Sequence, residues 1–209
     1  MLTHPSSGAG SAGRRTPDRL LDAAEKLMRT VGLARTTTKA IAKEAGCSEA
    51  ALYKHFANKE ELFVRVLTER LPTKIGPLLA ELTADPGERD VLTCLRELAT
   101  QASLFYADAM PMAASLFAEP KLLERHRAGL RELGLGPHKV VEVLTRYFET
   151  ERTRGRIRAD ADPRAAAALL LGACFQRAFF LHFSGEETVQ PVADFAPAVA
   201  RTTWEAVRP

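Results

Sequence analysis

Apolar residues recur every three to four positions from Leu20 to the end of the chain, and no strand-like alternation interrupts them. That period places side chains on one face of successive α-helices, so the pattern predicts an all-α protein. A first helix opens at Thr16-Pro17-Asp18, with Thr16 as the capping hydroxyl. Its inward face carries Leu20, Leu21, Ala24, Leu27, Met28 and Val31, and Gly32 ends it. A short second helix spans Thr36 to Gly46 with Ile41 and Ala45 inward. Ser48 opens a third, ending near Phe56, and Asn58 and Glu61 stand at capping-box spacing to open a fourth. Pro72, Gly76 and Pro77 break or bend that fourth helix. Beyond them the pattern predicts helices at Glu88–Ala109, Pro111–Phe117, Pro120–Leu133, Pro137–Arg154, Pro163–Phe183 and Asp194–Val207, with "GRIRADADP" and "SGEETVQP" as linkers.

Composition narrows the class. With 46% hydrophobic and 26% charged residues, a chain of 209 can bury a substantial core. No apolar run is expected to reach the roughly 18 residues a membrane span needs; Ala165 to Ala173 comes closest. Residues 1–13, "MLTHPSSGAGSAG", lack the charged-then-apolar order of a signal peptide and read as a disordered tail. The three cysteines show no CxxC spacing, as expected of reduced cytoplasmic thiols. Charge is lopsided: residues 1–65 sum to +4 and the remainder to −1, which suits a polyanion partner for the first third.

The stretch "GCSEAALYKHFANKEELF" sharpens that suggestion. Gly46 supplies a tight turn between two short helices, the arrangement of a helix-turn-helix. Leu52 and Phe56 turn inward, which directs Glu49, Ala50, Tyr53 and, at the edge, Lys54 outward. Ala50 and Ala51 keep the Ser48 end of this helix slim enough for a major groove. Tyr53, His55 and Lys59 are candidate phosphate donors, with Thr37 and Thr38 in the same part at the second helix. Arg14 and Arg15 either reach a minor groove or form a solvated linker.

Over roughly Pro17 to Phe63, "TTTKAIAKEAGCSEAALYKHFANKEELF" included, the chain resembles the DNA-binding segment of the TetR family of bacterial transcriptional regulators. The resemblance implies phosphate contacts from Thr37, Thr38, Tyr53, His55 and Lys59, and base contacts at or near Lys39, Glu49, Ala50 and Tyr53. Ser48 and Lys54 complete the candidate set. Ala51 departs from the pattern: the family often has a hydroxyl there, so one backbone contact is missing.

The predicted organisation is a helix-turn-helix domain of three helices over residues 14–60 and a larger helical ligand-binding and dimerisation domain over residues 61–209. In the larger part, Phe105, Met110, Met112, Phe117 and Phe179 suit an apolar pocket with His126, Tyr147 and Gln176 as orienting polar groups. Plain core packing would use the same residue types. The last two helices are expected to form a homodimer. Ala165 to Ala168, Gly172 and Ala173 allow close approach, and Phe195, Val199 and Trp204 supply knobs. His182 and Glu186 have a metal-like spacing but no cluster around them, and no nucleophile motif or phosphate-cradling glycine loop occurs, so neither metal, cofactor nor enzymatic activity is expected.

These expectations describe a ligand-responsive cytoplasmic regulator, a repressor. It would bind a palindromic double-stranded operator as a homodimer, take a small apolar or amphipathic effector and have no membrane partner. The alternative is a helical small-molecule carrier or enzyme with a vestigial DNA-binding motif, and a third reading is a protein-interaction adaptor.

Overall fold

The computed structural model describes residues 15–70, 76–84 and 87–209. The expected tail at 1–13, Arg14 and the break at Pro72 lie outside the described residues. Within them the structure is helical without strands: α1 (Thr16–Thr30), α2 (Thr38–Glu44), α3 (Glu49–Tyr53), α4 (Lys59–Glu69), α5 (Gly76–Ala84), α6 (Val91–Phe117), α7 (Pro120–Glu132), α8 (Pro137–Thr153), α9 (Pro163–Ser184) and α10 (Val192–Val207), with a 3-10 turn at Glu186–Thr188. The chain divides into two compact units, Met1–Val66 and Leu67–Pro209, so the division falls inside α4.

In the first unit, α1 packs on α2 and α2 on α3. Leu20, Leu21, Ala24, Met28, Ile41, Ala45, Leu52 and Phe56 are buried, as their spacing predicts, while Val31 is exposed. The start of α1 differs from expectation. Arg15 is the capping position, with no side-chain cap, and Thr16 already lies in the first turn. Local caps decide the later starts: the Thr37 hydroxyl accepts from the Ala40 N–H, and the Ser48 hydroxyl from the Ala51 N–H, each at 3.1 Å. Asn58 Oδ1 accepts from the Glu61 N–H at 2.8 Å, and Glu61 reaches back to the Ala57 N–H at 2.7 Å.

The second unit is built around α6, which packs against α9 and α10, with α8 on α9 and α5 on α8. Leu95, Leu98, Ala102, Leu144, Phe148, Ala167, Leu170, Leu171, Ala196 and Ala200 form one core. Two departures from the expected helices have physical causes. The segment 76–84 forms α5 although its Gly-Pro opening reads as a break, because proline is tolerated in a first turn. In α6 the helix passes straight through Pro111 instead of ending before it. Proline has no N–H for the Ala107 carbonyl four residues back. His182 of α9 takes that carbonyl instead, its Nε2 at 2.7 Å, and since a carbonyl only accepts, Nε2 carries the proton. His182→Leu is expected to cost about 1 kcal/mol, read as a lower urea midpoint, with faster amide exchange confined to the middle of α6.

The linker 155–162 is also held in place. Ile157 and Ala161 are buried, and the Arg158 N–H donates to the Val207 carbonyl at 2.8 Å. Arg177 is nearly buried on α9. Its Nε and Nη2 both donate to the Gln190 carbonyl, at 2.9 and 2.7 Å, and its guanidinium lies over the Phe195 ring. That clamp fixes how the chain enters α10.

Candidate nucleic-acid interface and effector region

The outward surface of the α2–turn–α3 corner holds most of the expected DNA-binding residues. Lys39, Ser48, Ala50, Tyr53, Lys54 and His55 are exposed or partly so, as is Thr37, which caps α2. Gly46 makes the turn with φ +67°, a left-handed conformation that favours glycine. Arg19 of α1 closes this turn by donating from Nη2 to the Ala45 and Gly46 carbonyls. Nothing local in the sequence marks Arg19 for that role, since its partners lie more than two helices' worth of chain away. Lys59 sits in the first turn of α4, half-buried, its ammonium 4.9 Å from the centre of the Phe63 ring. Arg15, at the start of the described residues, is exposed and stands 3.8 Å from Asp18.

Three candidates are engaged with one another. Thr38 is buried, and its hydroxyl donates to Glu49 Oε1 at 2.5 Å. The Tyr53 hydroxyl donates to Thr38 Oγ1 at 3.4 Å. In this arrangement the Thr38 proton is committed to a carboxylate, so it is not offered to an outside acceptor.

The eight effector-pocket candidates occupy diverse settings. Met112 and Tyr147 are buried; Phe105, Met110 and His126 are half-buried; Phe117, Gln176 and Phe179 are exposed. Tyr147 belongs to the core, and burial, followed by the neighbouring Cys94 and Glu151, raises its phenol above the ordinary range. Phe117, at 75% exposure, is on the surface at the end of α6. Burial lowers the pKa of His126, which favours the neutral ring, and its Nδ1 is a buried atom with no hydrogen-bond partner among the described residues. Phe105 and Phe179 join aromatic chains: Phe105 meets Tyr106, Tyr106 meets Phe175 edge-on, and Phe179 stacks on Phe183. None of the eight lines the groove of about 410 Å³ that the structure opens between α9 and α10. That groove is bordered by Leu169, Ala173, Phe195, Val199 and Thr202, residues of the two helices expected to dimerise.

The outer face of α9 is largely apolar, interrupted by the exposed Gln176. Leu169, Phe175, Phe179, Phe180 and Phe183 are exposed, Leu169 at 68% and Phe183 at 78%. This corrects one expectation, because α9 is long and apolar enough, by length and composition, to cross a membrane. Its other face carries Ala167, Leu170, Leu171 and Cys174 into the unit's core, together with the clamped Arg177. A helix sharing its core with three others, and holding a charged group along its length, behaves as a core helix with one unpartnered face.

The sequence model for bacterial regulatory proteins of the tetR family matches residues 20–66, which span α1 to α4. An uncharacterized HTH-type transcriptional regulator of Mycobacterium tuberculosis is 31% identical over 75% of this chain and 85% of its own. The chain belongs to the TetR family. Among other relatives, the nucleoid occlusion factor SlmA of Vibrio cholerae is 30% identical over 71% of this chain and 74% of its own. The TetR fold extends beyond the helix-turn-helix. A structure from Mesorhizobium loti described as a TetR-family regulator covers 93% of this chain and 98% of its own with a TM-score of 0.77 at 20% identity. SmeT, repressor of the Stenotrophomonas maltophilia efflux pump SmeDEF, covers 94% and 92% with a TM-score of 0.67 at 23% identity. As a TetR-family member the protein is a DNA-binding transcriptional regulator with an all-α architecture.

Proposed function

We propose that this regulator is a repressor that binds a palindromic operator as a homodimer and responds to a small apolar or amphipathic effector. The observation that carries the DNA-binding part is the exposed row of Lys39, Lys54 and His55, with the Tyr53 ring beside them, set over a packed corner. A solvated corner has no need of so many donors beside a slim Ala50. The homodimer is supported by the apolar outer face of α9 and the groove beside α10, which a second copy would cover. The effector reading draws on the fold: SmeT is also known in complex with triclosan. On this reading the protein is a cytoplasmic regulator without catalytic activity, metal, cofactor or membrane partner.

The test is a selection from random duplexes followed by affinity measurement at two salt concentrations. A DNA-reading dimer recovers a two-fold symmetric motif and loses affinity steeply with salt. A carrier or enzyme with a vestigial motif selects no duplex. Lys59→Ala is expected to weaken all sequences about equally and to lower the salt slope by roughly one, because a phosphate contact carries no sequence information. A second reading, a role in nucleoid occlusion, is favoured by the identity to the Vibrio proteins. Binding mapped across the genome separates the two: a few sites beside regulated genes support the repressor, and many sites spread over the chromosome support the second reading.

A further inference from the structure

The contact between Thr38 and Glu49 bears on how a half-site is read, and its meaning rests on the DNA-binding role proposed for this corner. The cap of α2 is supplied by Thr37, whose hydroxyl accepts from the Ala40 N–H, so the Thr38 hydroxyl is not needed to start the helix. It is instead buried between two side chains of α3. It donates to Glu49 Oε1 at 2.5 Å and accepts from the Tyr53 hydroxyl at 3.4 Å. Glu49 and Tyr53 are four residues apart, hence on one face of α3, and the neighbouring Ala50 is exposed and small. One carboxylate oxygen is thus held and oriented, while Oε2 has no hydrogen bond among the described residues.

We infer that Thr38 is a positioning residue that fixes the Glu49 carboxylate as a reader of an amino group in the major groove, cytosine N4 foremost. An ionised carboxylate can only accept hydrogen bonds. The major groove offers it donors only at the amino groups of cytosine and adenine, and carboxylates pair with the former. Near phosphates such a charge is repelled from every sequence alike, so it favours binding only where an amino group answers it. Holding one oxygen on Thr38 removes side-chain freedom before DNA arrives, which concentrates the gain on one geometry. The arrangement also assigns Thr38 a different task from the phosphate contact that the resemblance implies.

The experiment determines the complete base preference and the salt slope of the full-length protein and of Glu49→Ala, Thr38→Val and Thr38→Ser. Glu49→Ala is expected to reduce preference at one base pair per half-site by about tenfold or more. Thr38→Val, nearly isosteric, is expected to reduce it at that same position by about three- to tenfold, with other positions and the salt slope unchanged. Thr38→Ser keeps the hydroxyl and is expected to keep the preference. If Thr38→Val instead weakens all sequences equally and lowers the slope by about one, Thr38 is a phosphate contact and the inference fails. It fails too if Glu49→Ala alters no position, or if Thr38→Ser loses as much as Thr38→Val, which would make the methyl packing decisive. A wild-type protein that selects no duplex would defeat the DNA-binding reading itself, an outcome distinct from these.

Discussion

Glu151→Ala should remove about 2–4 kcal/mol of stability, read as a lower urea midpoint with an unchanged slope. Glu151 is fully buried near the end of α8. Arg156 Nη2 donates to its Oε1 at 2.7 Å, and Arg156 Nε stands 2.6 Å from Oε2. That hydrogen bond raises the pKa of the guanidinium, which remains charged throughout the accessible pH range. Arg156 also donates from Nη1 to the Gly87 carbonyl at 2.9 Å, where Arg154 adds a second contact at 3.2 Å. The pair therefore ties the end of α8 to the segment that precedes α6. Truncating Glu151 strands a cation against neighbours such as Tyr147, and that uncompensated charge is the main cost. Replacing both partners with Met should recover much of the loss, since a pair with one member fully buried and the other mostly so contributes little beyond an apolar pair of equal volume. If the double variant is as unstable as Glu151→Ala, the ion pair itself, rather than the stranded charge, would be stabilising the fold.

The second large effect concerns assembly. Leu169→Glu together with Val199→Glu should convert the proposed dimer to a monomer and reduce operator affinity by at least about a hundredfold. Both side chains border the groove between α9 and α10, and Leu169 is mostly exposed in the single chain. Two carboxylates from each copy would be buried in the proposed two-fold interface, so desolvation and the crowding of four like charges into one patch act together. Two half-sites bound by separate monomers also forfeit the high effective concentration that linkage provides. Sedimentation of the wild type and the variant, with binding to a full operator and to a single half-site, checks this. Half-site affinity should be unchanged, because the helix-turn-helix unit is untouched. A dimeric variant with full operator affinity would move the interface elsewhere. Wild-type protein that is soluble only with detergent would instead point the α9 face toward lipid.

Much of this architecture is readable without coordinates because its determinants are local. Ser48, Thr37 and the Asn58–Glu61 pair each act on backbone groups within a few residues, and Gly46 answers a conformational demand of its own turn. The inward pair Leu52 and Phe56 follows from helical period alone. The same logic fails where a partner lies far along the chain. Pro111 reads as a helix end, and only His182, from another helix, takes up the carbonyl that its missing N–H leaves open. Arg19 and Arg177 look like ordinary surface charges until the fold brings carbonyls to them. Tyr147 and Phe117 read alike as pocket residues, yet one lies in the core and the other on the surface. Period assigns a side chain to a face, but which neighbour covers that face is decided only by packing between helices. For the same reason the sequence alone determined that this protein is helical, that it carries a helix-turn-helix and which residue types stand on the outer side of that corner. Only the tertiary structure decided that Thr38 is turned toward Glu49, because a hydroxyl's partner is chosen by distance in space, and distance in sequence carries no record of it.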